Sequence, residues 1–268
     1  MSARGVLATA VALLALTVTP WAWALEGEPR RPVPPVQDPV SFPAAGDDAP
    51  LLQGELSIPL RPNADTLVPG VALCHPNPLM GGTMGDPVVL ALRDRLLERG
   101  LATLRFNFRG VGESEGEHDR GRGEVQDVLG ALAFLRSRPE VDAGRCGLAA
   151  YSFGSQVALK ACALRQDVRA CACIGFPTGH EPVQPGDFQH LEDVRQPLLF
   201  VSGTEDQFSA IPNIAALIER FELEARVVPM PGVDHFFTDA ENRRLMATQI
   251  AQFLTMKLIG QLSHGGGA

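Results

Sequence analysis

Cysteine is scarce and odd in number, five in 268 residues. Cys74, Cys146, Cys162, Cys171 and Cys173 all fall in segments that read as strand or helix. That excludes a disulfide framework and fits small buried hydrophobes. Cys171 and Cys173 share a strand face, yet no second ligand pair accompanies them and no His-Glu-x-x-His string occurs, so no metal is expected. Gly81-Gly82 lacks the Lys-Ser/Thr of a phosphate loop. Gly110-x-Gly112 has its third glycine misplaced at Gly116 with no helix opening there, so no nucleotide cofactor is expected either. Basic residues are outnumbered, 23 Lys and Arg against 31 Asp and Glu, and the net charge of −8 argues against nucleic acid or an anionic membrane as partner. Val6 to Val18 is apolar but too short to form a stable membrane span. There is no internal period and no low-complexity domain.

That N-terminal stretch has the form of a targeting segment. Arg4 precedes the apolar run, and Ala22-Trp23-Ala24 offers a small-x-small cleavage site, so residues 1–24 are expected to be a signal peptide. Export to the periplasm or medium follows if the segment is genuine. The alternative is an over-extended start and a cytoplasmic protein, which free thiols would suit better. Proline is dense from Pro29 to Pro39, which gives residues 25–39 the character of a stiff linker. The folded domain is expected over 40–260, followed by a flexible tail at 261–268.

Within that domain short apolar runs alternate with amphipathic stretches. Strands are expected at Leu51–Leu60, Val68–Cys74, Leu101–Phe108, Cys146–Tyr151, Val168–Phe176, Pro197–Ser202 and Arg226–Met230. Helices are expected after Asp86-Pro87 and over Glu124–Arg136, Gln156–Leu164, Ile211–Phe221 and Glu241–Ile259. Fully apolar strands alternating with helices imply an α/β fold with a mostly parallel central sheet and helices on both faces. Functional loops in such sheets lie beyond the carboxyl ends of the strands.

Three of those ends carry chemistry. The strand Cys146–Tyr151 stops at Ser152, with Ala150 two residues before and Gly154 two after. A nucleophile elbow needs small residues at both places, because the turn is too tight for side chains to pass. Later strands end in Thr204-Glu205-Asp206 and in Asp234-His235. The order serine, acid, histidine supplies a nucleophile, a carboxylate to fix the imidazole tautomer, and an imidazole to take the proton. Ser152, Asp206 and His235 are therefore the candidate catalytic residues. Glu205 and Asp234 compete with Asp206, although Asp234 adjoins His235 and should point elsewhere.

The same loops carry a family resemblance. His75-Pro76-Asn77-Pro78-Leu79-Met80-Gly81-Gly82, Phe106-Asn107-Phe108-Arg109-Gly110-Val111-Gly112, the elbow, and Gly232-Val233-Asp234-His235-Phe236-Phe237 are together similar to the α/β-hydrolases. The chain resembles their small dienelactone-hydrolase-like branch from about Val40 to Ile259. This implies the α/β-hydrolase fold and makes the His75-Pro76 segment the oxyanion-hole loop. Relatives often carry a second histidine where this chain has Asn77. An oxyanion needs two preorganised N–H donors. One is expected from Phe153, the residue after the nucleophile, and Asn77 is the candidate for the second because Pro76 and Pro78 have no N–H.

Pro177 to Gln196, where a lid often enters, is short and polar, so an open site with no cap domain is expected. Leu79, Met80, Met84, Phe153, Phe208 and Phe236 adjoin the expected loops and are candidates for an apolar acyl pocket. His75 is expected to order its loop, while His118, His180, His190 and His264 read as surface residues. The expected activity is hydrolysis of small to medium carboxylic esters through an acyl-enzyme. The alternatives are a serine peptidase or amidase on the same three residues, or a non-catalytic hydrolase-fold binding protein. In each catalytic case the partner is a small-molecule ester or amide.

Overall fold

Val68–Cys74 is buried along its whole length, and its side chains divide between two separate apolar clusters, Ala72 and Cys74 on one side and Val71 and Leu73 on the other. Successive side chains on a strand point to opposite faces, so a strand with no polar alternation needs cover on both. The computed structural model supplies that cover. It describes residues 35–47, 49–179, 181, 184, 186 and 188–260. The expected signal peptide, the tail, His180 and His264 lie outside the described residues.

Among the described residues eight strands form the sheet: β1 (Val36–Pro43), β2 (Leu51–Ile58), β3 (Val68–Cys74), β4 (Ala102–Phe106), β5 (Val141–Tyr151), β6 (Cys171–Ile174), β7 (Leu198–Gly203) and β8 (Ala225–Met230). Their order is β1-β2-β4-β3-β5-β6-β7-β8. The first two strands are antiparallel to each other and to β4, and every pairing from β4 to β8 is parallel. The helices α1 (Pro87–Glu98) and α5 (Ala240–Ile259) cover one face through Leu92, Leu96, Met246 and Ile250. The helices α2 (Gly123–Arg136), α3 (Phe153–Leu164) and α4 (Ile211–Arg220) cover the other through Val128, Leu132, Val157 and Ile214. No cap domain is present among the described residues, and no described helix is long and apolar enough to cross a membrane.

Several boundaries differ from those expected, two of them by four residues or more. The sheet begins at Val36, four residues inside the stretch expected to be linker, because β1 lies at the sheet margin and pairs on one side only. A margin strand tolerates Pro39 and Pro43, which a central strand would not. Phe42 anchors it, stacking on Phe134 at 4.9 Å and meeting Phe106 edge-on at 5.9 Å. β5 also starts earlier than Cys146, through a half-exposed segment from Val141. All five cysteines are free and buried.

Candidate active site

The carboxyl ends of β3, β5, β7 and β8 lie at one edge of the sheet, because those strands are parallel. At the end of β5 the chain turns into α3 through Ser152, whose backbone sits at φ 54°, ψ −124°. A non-glycine residue with positive φ is strained by about 1–3 kcal/mol and persists only where its surroundings hold it. Here the Ser152 amide donates to Ile174 O at 2.8 Å, and its carbonyl accepts from the Ser155 amide and hydroxyl. Gly154 must be small: a Cβ there would lie 2.6 Å from His75 O and 2.7 Å from Cys74 O. Ala150 is fully buried between Cys74 and Cys173 of the flanking strands, so its methyl group is accommodated in the core.

Ser152 Oγ lies 2.8 Å from His235 Nε2. On the far side of the ring, His235 Nδ1 lies 2.9 Å from both carboxylate oxygens of Asp206. Asp206 is itself held, since its Oδ1 accepts from the amides of Phe208 and Ser209. The competing acids are elsewhere: Glu205 is exposed, and Asp234 Oδ1 accepts from the Phe236 amide. Both members of the His235–Asp206 pair are buried. With Nδ1–H donated to the carboxylate, Nε2 is left as the acceptor for the serine hydroxyl. Gly175 permits the ring to pack there, because a Cβ would approach its Cε1 and Nδ1 to 3.0 Å. The Tyr151 hydroxyl donates to His235 O at 2.8 Å, tying the elbow directly to the histidine loop. Burial, with Asp86, Asp206 and Asp234 nearby, pushes the Tyr151 phenol well up, so it stays a donor.

After β3 the chain folds around Asn77. Asn77 O accepts from the amides of Met80 and Gly82, and its side chain accepts from Leu79 N. Gly82 approaches so closely that a Cβ would lie 2.3 Å from Pro76 O. His75 fixes this loop, as expected. Its Nδ1 donates to Pro76 O at 2.7 Å, and its Nε2 accepts from Phe108 N at 3.0 Å. Burial lowers its pKa to about 4, so the ring is neutral and its tautomer is set by these two partners.

These loops enclose an open cleft of about 340 Å³. Ser152 and His235 lie in its wall with Asn77 and Phe153, and Met80, Phe208 and Phe236 add apolar surface. Leu79 and Met84, expected in the same wall, are not part of it; Leu79 is 74% exposed. Asp86, Tyr151 and Gln156 belong to the wall although the sequence marked none of them as such. Asp86 was visible only as the cap of α1, and Tyr151 only as the elbow's neighbour. Two expected surface histidines are half-buried instead. His118 lies against the Phe153 ring with its Nδ1 2.7 Å from Glu124 Oε1, and burial beside Lys160 lowers the His190 pKa to about 4. Among the described residues no group of three or more His, Cys, Asp or Glu is arranged to hold a metal ion.

Comparison with known proteins gives the same architecture. An α/β-serine-hydrolase homologue from Coxiella burnetii is 29% identical, with a TM-score of 0.64 over 82% of this chain and 97% of that one. A Xanthomonas campestris protein described as an α/β serine hydrolase without lid is 28% identical, with a TM-score of 0.64 over 81% and 93%. A dienelactone hydrolase from Anabaena variabilis, 22% identical, shares the fold with a TM-score of 0.67 over 84% and 100%. The family model for the α/β-hydrolase domain matches residues 80–258. With the sheet, the elbow and this match in agreement, the chain belongs to the α/β-hydrolase family.

Proposed function

We propose that this protein is a serine hydrolase that cleaves small to medium carboxylic esters through an acyl-enzyme on Ser152. The observation that carries the reading is the continuous hydrogen-bonded chain from Ser152 Oγ through His235 to Asp206, opening onto a cleft. In the first half-reaction Ser152 Oγ attacks the ester carbonyl as His235 Nε2 takes its proton. Asp206 stabilises the imidazolium that forms. The carbonyl oxygen becomes an oxyanion, for which the amides of Phe153 and Asn77 are the assigned donors. Collapse breaks the C–O bond to the alcohol, which leaves with the proton from Nε2. Water then repeats the sequence on the acyl-enzyme and releases the acid.

Ester rather than amide cleavage suits a cleft that is open and mostly apolar, with Met80, Phe208 and Phe236 available to the acyl group. A fluorophosphonate probe tests the assignment. Intact mass and peptide mapping should find one adduct, on Ser152, and none in the Ser152→Ala variant. Absence of an adduct, or an adduct elsewhere, would overturn the reading. A panel of aryl esters of increasing acyl length, run beside aminoacyl amides, then fixes the leaving-group class.

A further inference from the structure

The cleft contains one charged side chain that the chemistry above does not use. Asp86 lies in its wall, facing the same space as Ser152 and His235. Among the described residues no lysine or arginine shares that wall, and its other ionisable members are His235 and the buried phenol of Tyr151. Asp86 also caps α1, its Oδ1 accepting from Val88 N at 2.8 Å. Burial raises its pKa from the usual carboxylate value, with the Val88 and Val89 amides and Arg243 opposing that rise. Arg243 is outside the cleft wall, and its guanidinium is engaged by the carbonyls of Phe237 and Thr238. Capping alone does not need a charge, because asparagine and serine cap as well as aspartate. A partly desolvated carboxylate facing a substrate cleft acts on any charge that enters.

We propose that Asp86 sets the charge preference of the cleft, favouring esters whose acyl chain is neutral or carries a quaternary or protonated amine and disfavouring acyl chains that end in a carboxylate. This rests on the hydrolytic reading of the same site. An acyl group held on Ser152 occupies the cleft whose wall includes Met80, Asp86 and Phe236. An anionic end in that cleft meets Asp86 with no cation among the described wall residues to offset it, and it also loses water of hydration. A cationic end gains an ion pair that the enclosed site screens less than bulk solvent does.

The experiment compares three p-nitrophenyl esters of matched length: hexanoate, 5-(trimethylammonio)pentanoate and the half-ester of adipate. The wild-type kcat/KM for the adipate ester is expected to fall at least about tenfold below that for hexanoate, with the cationic ester equal to or above hexanoate. Asp86→Asn keeps the cap and removes the charge; it should narrow the anionic-to-neutral ratio by about tenfold. Asp86→Ser should narrow it likewise. An unchanged ratio in both variants, or no discrimination in the wild type, would overturn the proposal. If the wild type cleaves none of the three, the hydrolytic reading fails, and binding still decides the charge preference. Calorimetry should then find that hexyltrimethylammonium binds more tightly than hexanoate and that Asp86→Asn erases the difference. Equal binding of the two by the wild type would sink the idea.

Discussion

Replacing Asp206 by asparagine removes a charge and keeps an acceptor for the Phe208 and Ser209 amides. The fold should survive, with thermal unfolding close to wild type. His235 would lose the partner that holds Nδ1–H, and kcat should fall by roughly 10²- to 10⁴-fold against a cleaved aryl ester. A second test concerns Tyr151. Its hydroxyl bridges 84 residues of sequence to hold the His235 carbonyl. Tyr151→Phe should cost about 1 kcal/mol in urea unfolding and lower kcat while leaving KM nearly unchanged, since the ring stays in the wall. The residues of this site differ in how visible they were beforehand. Ser152, Asp206 and His235 could be read because each follows an apolar run at a turn. Asp86 and Tyr151 could not, because their side of the cleft depends on how α1 and β5 pack across the sheet edge.

At the scale of single elements, the elbow depends on how closely α3 approaches β3. The Cβ of Gly154→Ala would meet two backbone oxygens that have no room to move. That substitution should destabilise by about 1–3 kcal/mol in denaturant unfolding and slow probe labelling at Ser152. Central strands and their helices were legible because burial on both faces leaves them almost no polar residues, as in β3 and β6. β1 was not legible. It is mostly solvent-exposed, carries two prolines and has one buried side chain, Phe42, to hold it down. Such a strand has a linker's composition and a strand's pairing. The half-burial of His118 and His190 is not legible for a related reason: both lie in polar stretches, and their ring contacts with Phe153 and Phe188 follow from tertiary packing, not from apolar spacing.

For the whole molecule, pH acts through His75. The folded protein holds this ring neutral with a pKa of about 4, against 6.5 when unfolded. Between those values the unfolded chain takes up a proton that the folded chain does not. Stability is therefore complete above pH 6.5 and declines as pH falls towards 4, by about 3 kcal/mol for a fully buried group. His190 shifts in the same direction and adds to the slope. Urea unfolding at about pH 7 and about pH 4.5 should show the loss, and His75→Gln should flatten it while lowering stability at the higher pH.

The strand order has one more consequence, for time rather than for geometry. Ser152 and His235 are separated by 83 residues, and His235 and Asp206 by 29, yet they meet at one edge. Contacts so distant along the chain form late, after the entropy of closing long loops has been overcome. A refolding chain should therefore regain helix well before it regains the Ser152–His235 bond. Under the proposed function, the last contact expected to form on folding is also the one on which reactivity depends.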